Sequence, residues 1–191
     1  ETNLVGFAHV LNEAKDAGIK NFVFASSSSV YGQALSAPFS ESASCDRPLS
    51  LYAATKKSNE LMAYSYHHLF GMNCTGLRFF TVYGPWGRPD MAMASFTKAI
   101  YEGLPIQVFN NGDMRRDFTY IDDIVEGVIL ACEQTHPFEI INLGNNKPVQ
   151  LSLMIDLLEK EIGKLAVRDY LPMQPGDVLE TYADITKAEQ L

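Results

Sequence analysis

The chain has 191 residues, 47% of them hydrophobic, with a formal net charge of −8 and a pI near 4.9. That is enough apolar material for a sizeable core, in one domain or in one domain and part of another. The acidic balance and the lack of a basic stripe argue against a nucleic-acid partner, whereas local arginines leave an anionic small ligand open.

In chain order, NLVGFAHVLNEAKDAG places Leu4, Phe7, Ala8, Leu11 and Ala14 at helical spacing and closes on Gly18, a common helix stop. NFVFAS (21–26) is a short apolar run rich in β-formers and predicts a buried strand that feeds a run of serines, Ser26–Ser29. A polar loop with Pro38, Cys45 and Pro48 follows. SLYAATKKSNELMAYSYHHLFG then predicts a long helix ending at Gly71, and NCTGLRFF (73–80) the next strand. VYGPWGRPDM is a loop rich in glycine and proline. Helix is expected over 92–102, short strands at IQVF and RDFTYI, and helix over 124–133. A strand at FEIINLG and a helix at SLMIDLLEKEIG complete the pattern. Such alternation predicts an α/β fold, a doubly wound Rossmann-type parallel sheet, with a smaller interleaved C-terminal lobe from about Pro85.

A doubly wound sheet usually carries its dinucleotide on a G-x-G-x-x-G turn. These residues contain none: Gly84-Pro85-Trp86-Gly87 follows a strand but has the wrong spacing and a proline inside it. With Glu1 at its start and TKAEQL stopping partway through a helical pattern, the chain is expected to be a piece of something longer. Cys45, Cys74 and Cys132 make no C-x-x-C pair, and the four histidines no H-x-x-x-H pattern, so neither a disulfide framework nor a metal is expected. No apolar run approaches the ~18 residues of a membrane span and no signal peptide is visible, so a cytoplasmic protein without a membrane partner is expected.

The chemistry concentrates in LYAATKK, where Tyr52 and Lys56 lie four residues apart and so share one helical face. A tyrosine with an ordinary pKa near ~10 is a poor base at neutral pH. A nearby ammonium stabilises the phenolate, which then removes a proton from an alcohol while hydride leaves the same carbon. By spacing alone, a chance helical pair stays open beside this reading. Other residues have plainer expectations. Asp122-Asp123 reads as a helix N-terminal cap, His67-His68 as a surface pair and Trp86 as a packing residue. Cys74 and Cys132 fall in element interiors and are expected to be inert.

The serine-bearing strand end, the Tyr-Lys pair and LRFFTVYGP, taken together, resemble the extended short-chain dehydrogenase/reductase family of NAD-dependent nucleotide-sugar epimerases and dehydratases. The resemblance implies Ser27, Tyr52 and Lys56 as a catalytic triad, and NAD as cofactor beside Tyr52, Lys56, Ala25 and Phe79. It extends to NGDMRRDFTYIDDIVEGV, where Arg116 matches a diphosphate contact and Arg115 is expected to face solvent. In QPGDVLETYADITKA, Asp177 matches a ribose contact. Tyr31 is left open between the nicotinamide side and packing under the loop.

The resemblance also narrows the reaction. Dehydratases of the family carry Asp-Glu after the triad Ser/Thr, and decarboxylases usually a glutamate; here Ser28 and Ser29 stand there, which leaves epimerisation at C4. RFFTVYGPWGRPDMA is similar to the UDP-glucuronate 4-epimerases, with Thr81 where galactose enzymes usually have Asn. Arg88 is then expected to pair with the sugar carboxylate, with Thr81, Ser27, Ser28 and Ser29 completing the hydrogen bonds; a surface arginine is the plainer alternative. Other UDP-hexose or UDP-N-acetylhexosamine epimerases, and a truncated binding or scaffolding module, are the alternative functions. Residues 1–84 are expected to form the C-terminal part of the NAD-binding domain, and 85–191 mainly the nucleotide-sugar lobe, with about 117–145 returning to the sheet. A homodimer through the Tyr-bearing helix is implied, although Leu61, Met62 and Leu69 would serve equally against the sheet.

Overall fold

A computed structural model describes residues 1–32, 37–174 and 177–191; Pro175 and Gly176 of the QPGDVLE stretch lie outside them. A π-type turn at Thr2–Gly6 leads into α1 (Phe7–Asp16), then β1 (Phe22–Ala25) and a 3-10 turn at Ser28–Tyr31. α2 (Leu51–Phe70) starts where Ser50 Oγ accepts from the Ala53 N–H at 3.1 Å and stops at left-handed Gly71, φ +66°. β2 (Cys74–Phe79), β3 (Thr81–Tyr83), α3 (Ala92–Glu102) and β4 (Pro105–Phe109) follow. Next come β5 (Arg115–Tyr120), α4 (Ile121–Glu133), β6 (Phe138–Leu143) and β7 (Pro148–Gln150). The last elements are α5 (Leu151–Ile162), β8 (Val167–Leu171), β9 (Glu180–Thr181) and α6 (Thr186–Gln190).

The strands β1, β2 and β6 form a parallel sheet in that order. Alternation along β2 decides what covers each face. Cys74 points to the side where α1 and α2 bury Leu11, Phe24 and Ala63, and Leu77 to the side where α4 buries Ala131 beside Ile141. Helices thus cover both faces, as the strand–helix alternation predicts. Gly76 has a packing reason, since a Cβ there would come within 2.7 Å of Phe24 and of Ile140. A second core joins α3, β4, β5 and α5 through Ile100, Ile106, Val108, Phe118 and Ile155. β5 is the central strand of a second sheet: it pairs with β3 in parallel, with β7 antiparallel and with β9 in parallel. β4 and β8 pair separately at the outer edge of that core.

Four local expectations change. β3, β7, β8 and β9 were not expected as strands; three of them run three residues or fewer and exist only through pairing with β5. α4 begins at Ile121, so Asp122 and Asp123 sit in its first turn, favourably placed against the helix dipole, and not at the cap. His67 is half-buried, its Nδ1 bonded to Met72 O at 3.1 Å and its ring 6.0 Å from that of Phe138, whereas His68 is exposed as expected. Cys74 is buried as expected, whereas Cys132, in the last turn of α4, is exposed.

Candidate active site

β1 delivers the serine run to the carboxyl end of the sheet, where open α/β folds bind ligands. Ser27 is extended and caps the 3-10 turn, its Oγ accepting from the Ser29 N–H at 3.2 Å. The turn closes at Gly32, which takes φ +57°, and a Cβ there would meet Arg47 O at 2.1 Å, so only glycine lets the Arg47 backbone approach this closely. The Ser50 cap places Tyr52 in the first turn of α2, half exposed, with Lys56 one turn below it.

Ala25, Ser27, Tyr52, Lys56, Phe79, Thr81 and Arg88 all border one cleft of about 660 Å³. Lys56 Nζ lies 5.9 Å from the centre of the Tyr52 ring and donates to Ala25 O at 3.1 Å. Burial lowers the Lys56 pKa from its ordinary value. Thr81 also borders a groove of about 240 Å³ with Ser28, Ser29, Arg116 and Asp177, and a third of about 420 Å³ lined by Phe96, Phe109 and Met114. Thr81 thus lines all three hollows.

Both arginines singled out from the sequence hold an aspartate. Arg116 Nη2 pairs with Asp177 Oδ1 at 2.7 Å, and its Nη1 donates to Arg115 O and Leu179 O. Burial pulls the Arg116 pKa down against the opposing pull of Asp177. Arg115 faces solvent, as expected, with Glu180 at 3.7 Å. Arg88 grips Asp90 through both Nε and Nη2 on the exposed rim of the cleft. Trp86, expected to pack, is fully exposed on that rim with φ +64°. Tyr31 turns into the protein: its hydroxyl donates to Asn142 Oδ1 at 2.7 Å, and burial pushes its pKa up to about 12.

Four buried residues, Ser26, Glu60, Arg78 and Asp117, have roles that the sequence reading did not give. Ser26, first of the serine run, donates its hydroxyl to Glu60 Oε1 at 2.7 Å. Glu60 also takes Arg78 Nε and Nη2, each at 2.8 Å, and Lys57 Nζ at 3.1 Å. The Arg78 guanidinium lies 4.7 Å above the centre of the Tyr31 ring. Asp117, wholly buried beside Arg116, accepts from Thr119 and from the backbone N–H groups of Asn145, Asn146 and Ala183. It thereby ties the segment after Asp177 to β5. Two signals were present in the sequence: Glu60 repeats the four-residue step from Tyr52 to Lys56, and Arg78 interrupts an apolar strand.

A parallel sheet with helices on both faces, and a serine, a tyrosine and a lysine around a cleft at its strand ends, describe a dinucleotide-type α/β fold. The model of the NAD dependent epimerase/dehydratase family matches residues 1–144, and the chain belongs to that family. It is 50% identical over 193 residues to the UDP-glucuronate 4-epimerase of Thermodesulfobacterium geofontis, covering 100% of this chain and 59% of that protein. The solved structure of UDP-glucuronic acid 4-epimerase from Bacillus cereus, in complex with UDP-glucuronic acid and NAD, matches with a TM-score of 0.93 and 39% identity. That match covers 99% of this chain and 60% of the other. UDP-N-acetylglucosamine 4-epimerase from Methanobrevibacter ruminantium M1, in complex with UDP-N-acetylmuramic acid, matches at 0.91 and 30%, over 98% of this chain and 61% of that one. The chain therefore spans about three fifths of the length of these relatives.

Proposed function

We propose that this chain is the catalytic and sugar-binding part of an NAD-dependent UDP-glucuronate 4-epimerase. The observation that carries this reading is the shared cleft of Ser27, Tyr52, Lys56, Thr81 and Arg88. The cleft suits the nicotinamide half of NAD: Ala25 and Phe79 offer an apolar wall, and the Lys56 ammonium offers N–H donors beyond the one given to Ala25 O. Bound there, NAD would supply reversible hydride acceptance at the sugar C4.

The chain's own residues handle the proton and the orientation. Tyr52, as phenolate, takes the proton from O4 as C4 becomes a carbonyl, with the Lys56 charge stabilising it and Ser27 hydrogen-bonding the oxygen. The 4-keto sugar turns about its link to the diphosphate and so presents the other face of C4 to the cofactor, and Tyr52 returns the proton to O4. Arg88 holds the sugar carboxylate bidentately, with Thr81, Ser28 and Ser29 beside it. Arg116 meets the diphosphate and Asp177 the ribose. Residues 1–84 contribute to the NAD-binding domain and 85–191 mainly to the nucleotide-sugar lobe, with 117–145 serving the sheet. The working enzyme is a cytoplasmic homodimer joined through α1 and α2, whose exposed Val10, Leu61 and Leu69 supply the apolar contact.

Asp90 occupies Nε and Nη2 of Arg88 at the cleft rim, so the carboxylate role requires the sugar carboxylate to displace it. The same pair favours a second reading, a neutral UDP-hexose or UDP-N-acetylhexosamine epimerase, if Asp90 never leaves. Incubating the full-length protein separately with UDP-glucuronate and UDP-glucose decides between them. Inversion of the acid sugar is expected, and turnover of the neutral sugar alone refutes the role given to Arg88.

A further inference from the structure

Tyr52, Lys56 and Glu60 follow one another at four-residue steps and so form a stripe on α2. Two members of the stripe grip consecutive residues at the end of β1. Lys56 Nζ donates to Ala25 O at 3.1 Å, and Glu60 Oε1 accepts from Ser26 Oγ at 2.7 Å. The next residue is Ser27.

Glu60 is itself held. Arg78 binds both its oxygens at 2.8 Å, and Arg78 rises from β2, the strand paired with β1 through Ala25 and Leu77. The Ser26 N–H donates to Leu77 O at 2.7 Å, so backbone and side chain of Ser26 are both fastened. Ser26, Glu60 and Arg78 are 2%, 3% and 2% exposed, which leaves bulk water no access to compete. A buried ion pair contributes little net stability compared with apolar residues of the same volume. An apolar substitute would fill this space as well but would not fix where a serine hydroxyl points.

We propose that Glu60, braced by Arg78 and acting through Ser26, is a positioning residue that sets the separation of the Ser27 hydroxyl from the Tyr52 phenol. This rests on the roles given above to Ser27 and Tyr52. Glu60 itself touches no substrate: it lies beneath the strand end and does not border the cleft. Displacing reacting groups by about 1 Å costs on the order of 100-fold in rate, so a loosened strand end acts on turnover before it acts on binding.

The test is Ser26→Ala in the full-length protein, which deletes one hydroxyl and leaves Glu60 paired with Arg78 and Lys57. On whichever nucleotide sugar the parent inverts, kcat is expected to fall about tenfold or more with KM within about twofold. Hydrogen exchange of the backbone amides of Ser27–Val30 is expected to speed up about tenfold. A kcat within twofold of the parent, a loss carried by KM, or unchanged exchange each overturns the proposal. If the parent inverts no nucleotide sugar, the epimerase reading falls, whereas the exchange measurement still decides whether Ser26 and Glu60 hold the strand end.

Discussion

Tyr52 is half exposed at the mouth of the cleft, with Lys56 the cation beside it, and that pair carries the most direct test at the scale of single residues. Tyr52→Phe keeps the ring and removes the proton carrier, so kcat is expected to drop by about 10²–10⁴ while nucleotide-sugar binding is unchanged. Isothermal titration beside a turnover assay separates the two. Arg88→Ala removes charge-assisted hydrogen bonds worth about 1.5–3 kcal/mol each. It is expected to raise KM for UDP-glucuronate by about 10- to 100-fold and to leave a neutral UDP-sugar unaffected. That Tyr52 and Lys56 share a helical face was legible from their four-residue spacing, whereas their joining with the serine run rested on the resemblance of the surrounding motifs. Ser26 and Glu60 were not legible as a pair, since the bond between them spans 34 positions. Nothing in a run of four serines says which one turns inward. Trp86 failed for a similar reason: its size suggests burial, whereas its place is set by a left-handed turn on the rim.

At the scale of elements, the α2–β1–β2 junction is where stability and geometry meet. Glu60→Ala would leave the Arg78 charge buried without its partner, and breaking a buried pair costs about 3–5 kcal/mol. Urea unfolding of the full-length protein is expected to show a loss of that size. Burial works to raise the Glu60 carboxyl, but Arg78, Ser26 and Lys57 hold its pKa below the ordinary 4.5. A carboxylate lowered in the folded state lends stability that is complete above about 4.5 and is lost as pH falls through the lowered value. The melting temperature is therefore expected to drop more steeply on acidification below pH 4.5 in the parent than in Glu60→Gln. The long helices and the core strands were readable from periodicity, with boundaries moved by one to three residues. β3, β7 and β9 were not readable, because two or three residues carry no period and only pairing with β5 makes them strands.

At the scale of the whole molecule, the apolar outer surface of α1 and α2 predicts association. Leu61 and Leu69 are 58% and 67% exposed, and an aspartate at either is expected to shift the full-length protein from dimer to monomer in analytical ultracentrifugation. A dimer that survives both substitutions places the interface elsewhere.

By itself the sequence determined the α/β class, the strand–helix order and the family, because each rests on local periodicity or on motif spacing. Only the tertiary structure decided that Thr81 borders three hollows, that Arg88 and Arg116 each already hold an aspartate, and that Glu60 reaches back to Ser26. The physical reason is the same in each case. Which groups share a buried hydrogen bond or a cleft wall depends on how distant segments pack, and a sequence read alone records only neighbours along the chain.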